Sequence, residues 1–197
     1  VLKTDFRYKV PTHQRNFAWS LDEVQQLWDD INEAIEEDRP EYFLGTMVVQ
    51  EDRTSKTRII IDGQQRLATL TMILSGIRTV YRNNEDDRDS EVYMEYLGMR
   101  DRRTRAVEPR LTLNEFNEPL FQNLVVENPD DASLIKAKTN KTLGQSNMLL
   151  SSAMYLIRTA IRRKARAYTK YHDFLLELED FIADRVVMIL VSVGDEA

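Results

Sequence analysis

Apolar positions recur along this chain at two spacings, and the switch between them divides it into elements. Val24, Leu27, Trp28, Ile31 and Ile35 fall three and four apart, the stripe of a helix that buries one side. Ser20 and Glu23 supply a capping box for its start, Trp19 stands where it can staple onto Val24, and the run from Glu36 to Pro40 ends it. Ahead of it, Phe6 to Pro11 alternates and closes on proline, which predicts an edge strand. Residues 12–19 form a loop of polar donors interleaved with aromatics. After the helix, Tyr42 to Gln50 and Thr57 to Ile61 are strand-like, with the polar turn Asp52 to Lys56 between them, so a β-hairpin is predicted. Its second limb runs into Asp62-Gly63, and Leu67, Leu70, Ile73, Leu74, Ile77 and Tyr81 then resume helical spacing.

The second half is less regular. From Asn83 to Arg105 charge dominates, and Tyr93 to Met99 suits a short helix or a strand. Glu108 to Leu113 reads as a strand, Pro119 to Leu124 as a short helix, and Glu127 to Gln145 as a mobile loop. A long helix follows with Leu149, Ala153, Leu156, Ile157 and Ala160 inward and Arg158, Arg162, Arg163, Lys164 and Arg166 on its outer side. Phe174, Leu175, Leu178, Phe181 and Ile182 mark a second helix, expected to pair with the first as an antiparallel hairpin. Val186 to Val191 is continuously apolar, which predicts a strand buried on both faces. The expected organisation is an α/β (α+β) unit, with a small mixed sheet in residues 1–125, the loop in 126–146, and a C-terminal helical annex and final strand in 147–197. A buried strand so near residue 197 leads us to expect a longer protein.

With 197 residues, 42% hydrophobic and 30% charged, the chain has the make-up of a soluble domain with one sizeable core. No apolar run approaches the ~20 residues that span a bilayer, and no signal-peptide pattern opens the sequence, so a cytoplasmic location without membrane contact is expected. The absence of cysteine excludes disulfides and thiolate metal sites. A net charge of −6 confines any nucleic-acid contact to local patches. The candidates are Arg162, Arg163 and Arg166, together with the Arg100 to Arg105 run.

The strand-to-helix joint is the strongest candidate site. Unpaired N–H groups and the dipole of a helix start favour an anion, and Gly63 can take a backbone conformation that a Cβ resists. Arg66 adds a fork of donors, and Gln64 and Gln65 bring amides toward a base, a sugar or a water. The same residues suit a plain helix start, with Asp62 as N-cap and the glutamines solvated. In the preceding loop, Arg15 with Gln14, Phe17 and Trp19 could grip a phosphate and stack on a base, or the aromatics could simply plug the helix start. His13 and His172 have no partners at metal-ligand spacing, so no metal cage is predicted. Mg²⁺ could still arrive with phosphates and find Asp62 or Glu23. Walker A, G-x-S-x-G and protein-kinase signatures are absent.

Three stretches in this order, Val10 to Trp19, Tyr42 to Gly45 and Ile61 to Leu70, resemble the N-terminal domain family of GmrSD-type restriction endonucleases. The resemblance spans Phe6 to Tyr81 and, more loosely, Pro109 to Val193. It implies a ParB/sulfiredoxin-like fold and a role in restricting phage DNA that carries modifications. It also implies binding and hydrolysis of an NTP, GTP or ATP first, at the D-G-Q-Q-R motif. That motif falls on Asp62, Gly63, Gln64, Gln65 and Arg66 as catalytic and binding residues, with Gln14, Arg15 and Trp19 in the partner loop. The family's F-x-x-x-N-x-x-G segment and an HNH nuclease pattern are missing from these residues, so DNA cleavage is not expected of this stretch. A DNA-binding module that hydrolyses nothing, or a domain that forms homodimers, are the competing readings.

Overall fold

A computed structural model describes residues 5–52, 54–101, 104–127 and 130–194 of the chain. Arg53, Arg102, Arg103 and Pro129, which belong to the turn, basic run and loop discussed above, lie outside the described residues.

Alternation in the strands generates the sheet. Strand β1 (Arg7–Lys9) precedes helix α1 (Leu21–Glu36), which leads to β2 (Tyr42–Asp52) and β3 (Thr57–Asp62). The last two pair antiparallel as the predicted hairpin, with an irregularity between Val48 and Val49. Helix α2 (Gln64–Asn83) follows, then α3 (Arg88–Val92), which continues as a π-helical turn over Tyr93–Leu97. The segment after it folds as β4 (Gly98–Arg100) against β5 (Val107–Pro109), and β6 (Leu111–Thr112) returns to the main sheet. The expected strand 108–113 is thus split at Arg110 between two sheets. Helix α4 (Glu118–Phe121) runs into a second π-helical turn, Gln122–Val126. Helices α5 (Asp131–Thr139), α6 (Gly144–Ala167) and α7 (Tyr171–Asp180) and strand β7 (Val186–Val193) complete the chain.

The five-stranded order is β6-β1-β3-β2-β7. Only the β2–β3 pair is antiparallel, so the sheet is mixed, as expected. Two strand assignments change. Strand β1 is not an edge: Tyr8 lies between Arg58 of β3 and Leu111 of β6. Strand β7 is an edge, paired only with β2, and Ile189 is 56% exposed. Leu44, Met47, Val49 and Ile60 face inward to the core, while Phe43, Ile61, Val191 and Val193 on the other face are open.

The core gathers around α2. Seventeen of its residues are buried, polar ones such as Thr69, Ser75 and Arg78 among them, so it is enclosed nearly all round as a central helix. Helix α1 keeps the predicted stripe and capping box. Gly76 lets α6 approach α2 closely, since a Cβ there would meet Ile161 Cδ1 at 2.5 Å.

Two further expectations fail for tertiary reasons. The stretch 127–145 is not one loop: Asp130 caps α5 by accepting from Ser133 N at 2.8 Å, and Leu134 and Ala137 are buried. Arg158 is not on an outer face either. It is wholly buried, donating from Nη2 to Leu124 O at 3.1 Å and paired with Asp131. Burial pushes its guanidinium down to about 10, with Asp131 opposing the shift. Ser75, Arg78 and Arg82 of α2 donate to the carbonyls of Val125, Val126 and Glu127. Together with Arg158 they satisfy four successive carbonyls at the end of the second π-helical turn, groups that a helix end leaves without internal partners. Lys164 is likewise engaged, with Glu36 and Asn32 of α1.

Among the described residues, no helix is long and apolar enough to cross a membrane.

Candidate functional site

The hairpin's second strand ends at Asp62, and Gly63 turns the chain with φ +100°, which favours glycine. A side chain there would also press on Met47. Gly63 is itself the N-cap of α2 and carries no side-chain cap. The first rung of the helix is Leu67 N to Gly63 O at 3.1 Å, so the N–H groups of Gln64, Gln65 and Arg66 precede the ladder. Asp62 is therefore not the cap. Its carboxylate is 65% exposed and pairs with Arg66 at 3.4 Å.

Arg66 is held from below. Its Nη1 donates to Leu44 O at 3.2 Å, passing over Gly45. A Cβ on Gly45 would stand 2.0 Å from Arg66 Nη1, and Gly45 has φ +118°. The β2–β7 register shifts between Phe43 and Gly45. The Tyr42 to Gly45 stretch thus opens a channel for a guanidinium from the next helix, a role that sequence reasoning did not assign to Gly45.

Gln64 and Gln65 are not solvated. They are 7% and 4% exposed and grip the loop of residues 14–19. Gln65 Oε1 accepts from Ala18 N at 3.0 Å and Trp19 N at 3.3 Å, and its Nε2 donates to Asn16 O at 3.2 Å. Gln64 Nε2 donates to Arg15 O at 3.0 Å. Gln14 Nε2 closes the ring by donating to Ile61 O at 3.1 Å. Gln65 thus has both ends engaged, whereas Gln64 Oε1 has no partner among the described residues.

Three residues outside the motifs complete this scaffold. Asn117 Oδ1 accepts from Phe17 N at 2.8 Å, Asn114 Nδ2 donates to Gln14 O at 3.1 Å, and Ser146 Oγ donates to Phe17 O at 2.6 Å. Asn114 and Asn117 are 3% and 1% exposed. Glu118 steadies their turn by accepting from Leu113 N and Gln122 Nε2, and burial pushes its carboxyl up. The sequence reading passed over Asn114 and Asn117, although two asparagines three apart just beyond a strand suit a turn that bonds neighbouring backbone.

Gln14, Arg15, Trp19, Asp62, Gly63, Gln64, Gln65 and Arg66 together line a cleft of about 170 Å³. Arg15 is exposed at its mouth, and its guanidinium has no hydrogen-bond or ion-pair partner among the described residues. Trp19 is half-buried against the core, and Glu23 is occupied by the capping box, accepting from Ser20 N at 2.7 Å. His13 is exposed and lines no part of this cleft. His172 pairs with Asp86 instead. Among the described residues, no group of three or more His, Cys, Asp or Glu could hold a metal ion.

The basic residues of α6 lie apart from this corner. Arg162 and Arg166 line a second cleft with Asn83, at the opposite end of α2, roughly 30 Å away along a helix of that length. Arg162 is bound to Asp131 and to Arg158 O, while Arg163 and Arg166 are exposed.

The family model described as "GmrSD restriction endonuclease, N-terminal domain" matches residues 1–197, the whole chain. The chain belongs to this family. No curated protein matches it. As a GmrSD N-terminal domain it is part of a DNA restriction system. The three stretches that carried the resemblance meet at one place in it: the 10–19 loop, the Gly45 channel and the start of α2 form a single corner.

Proposed function

We propose that this GmrSD N-terminal domain binds and hydrolyses an NTP at the start of α2, and that this regulates restriction of modified phage DNA. What carries the reading is the juxtaposition of an uncapped helix start, the Arg15 guanidinium and Arg66 around one cleft. Three leading N–H groups and the positive dipole end attract an anion, and two guanidinium groups flank it. The cleft has room for a phosphate chain, with Trp19 at its edge to meet the base or sugar.

On this reading the roles divide among the residues of the cleft. Arg66, fixed over Gly45, and the N–H groups after Gly63 hold phosphate oxygens. Arg15 clamps from the facing loop. Gln64 offers its open Oε1 to a water, orienting it toward the terminal phosphorus, while Gln65 and Gln14 keep the loop in place. Phosphoryl transfer depends mostly on such positioning and charge stabilisation. Asp62 is the carboxylate at the cleft suited to Mg²⁺, which takes one or two carboxylates with substrate phosphates. The ion would neutralise charge on the transferred group.

Calorimetric titration with GTP, ATP, CTP and UTP tests this. Wild type binds at least one of them. Arg15→Ala weakens that binding by tenfold or more, with stability changed by less than about 0.5 kcal/mol because the side chain is exposed. Absence of binding for all four nucleotides retires the reading.

A further inference from the structure

At the other end of α2 lies a cleft of about 390 Å³ that the nucleotide site does not use. Its lining includes Asn83, Arg162, Arg166, Tyr168, Thr169 and Tyr171. That volume is within the usual range for a small-molecule site. Both tyrosines are braced from behind. Tyr168 stands 5.0 Å from Phe174, centroid to centroid, yet stays 37% exposed. Tyr171 donates its hydroxyl to Asp86 at 3.2 Å and lies 4.9 Å from the His172 ring. Rigid aromatic faces of this kind suit a planar ligand. The amide of Asn83 and the hydroxyl of Thr169 are exposed, without hydrogen-bond partners among the described residues, and can read its edge.

Charge decides what kind of planar ligand fits. Helices α2 and α6 both end at this cleft, at Asn83 and Ala167, and helix C-termini carry partial negative charge. A triphosphate drawn inside would oppose two such ends. The available cation in the lining is Arg166; Arg163, three before it on α6 and therefore its neighbour on the helix surface, and Lys170, four after it in sequence, are also exposed. None of the three has an ion-pair partner among the described residues. In a chain of net charge −6 this is a local positive border.

We propose that this cleft takes one base of a nucleic-acid strand, stacked on Tyr168, while the flanking phosphates lie on Arg163 and Arg166. The base is either part of a single strand or extruded from a duplex, because a paired base cannot enter a pocket. The site stands independently of the nucleotide site, so either can fail alone.

The test is fluorescence anisotropy of the chain with a labelled 12-nucleotide single-stranded DNA and with a duplex carrying one bulged base, titrated at several salt concentrations without nucleotide. Saturable binding is expected to both, with a fully paired duplex weaker. Tyr168→Ala should weaken binding about fivefold or more, the range for loss of one stacked base, while Tyr168→Phe keeps it. Arg163→Ala with Arg166→Ala should weaken binding and flatten the salt dependence by roughly 0.7 in log–log slope per lost phosphate contact on single strands. Should Tyr168→Ala fail to fold, Asn83→Asp, at an exposed position, places a negative charge beside the base and should lower affinity in the same assay. Failure to bind either probe overturns the proposal. So does unchanged affinity in Tyr168→Ala, or in Asn83→Asp where that variant stands in.

Discussion

Replacing Gln65 by methionine tests whether this glutamine carries the loop rather than the chemistry. The side chains are close in length, so packing is preserved while three hydrogen bonds are lost: two from Ala18 N and Trp19 N, and one to Asn16 O. A buried polar group left unpaired costs about 1–3 kcal/mol. The backbone at Asn16 and Ala18 borders solvent, so water compensates part of this. The sum falls near 2–4 kcal/mol, a large fraction of the ~5–15 kcal/mol that holds a domain together. Urea denaturation followed by tryptophan fluorescence reads the change, with Trp19 and Trp28 as reporters. The expected result is a lower midpoint with an unchanged m-value. Gln64→Met, which loses only the bond to Arg15 O, should cost about 1 kcal/mol. If Gln65→Met leaves stability within about 0.5 kcal/mol of wild type but abolishes nucleotide binding, Gln65 contacts the ligand and the positioning argument is refuted.

Gly45→Ala should destabilise the fold by about 2–3 kcal/mol, from a positive φ imposed on a Cβ and the lost bond between Arg66 and Leu44 O; thermal melting measures it, and nucleotide affinity should fall in parallel. Arg158→Met removes a buried guanidinium and leaves Leu124 O and Asp131 without it, so a loss of roughly 3 kcal/mol is expected on chemical denaturation. Glu118 has its carboxyl raised by burial, so the unfolded chain releases this proton first. Stability contributed by Glu118 therefore falls as pH rises from the ordinary carboxylate value of about 4.3 toward the raised one. Glu118→Gln should remove that slope, seen as a melting-temperature difference between variant and wild type that grows across this interval.

What could be read from sequence was whatever neighbouring residues determine among themselves. The Ser20–Glu23 capping box, the 42–62 hairpin and the turn at Gly63 depend on short-range bonding and appear as expected. Strand β7 misled because an apolar run signals burial, whereas its sheet position makes it an edge. Helix α5 was hidden by the Pro129-Asp130-Asp131 turn chemistry, in which Asp130 turned out to be a cap. Arg158 misled because α6 has two packed sides: besides the predicted stripe, Met154, Arg158, Ile161 and Ala165 are buried. In the candidate site, the motif residues were legible by type and spacing. The division of labour among them was not, since Gln65 answers to a loop 47 residues away and Asn117 to one 100 residues away.

The ring of donors around the end of the second π-helical turn bears on how this molecule presents itself at long range. Arg78 and Arg158 face inward, and Arg162 is matched to Asp131. A tally of positive residues along α6 therefore overstates the field a distant polyanion would meet. What this helix still offers outward is confined to its last turns, at the exposed Arg163 and Arg166.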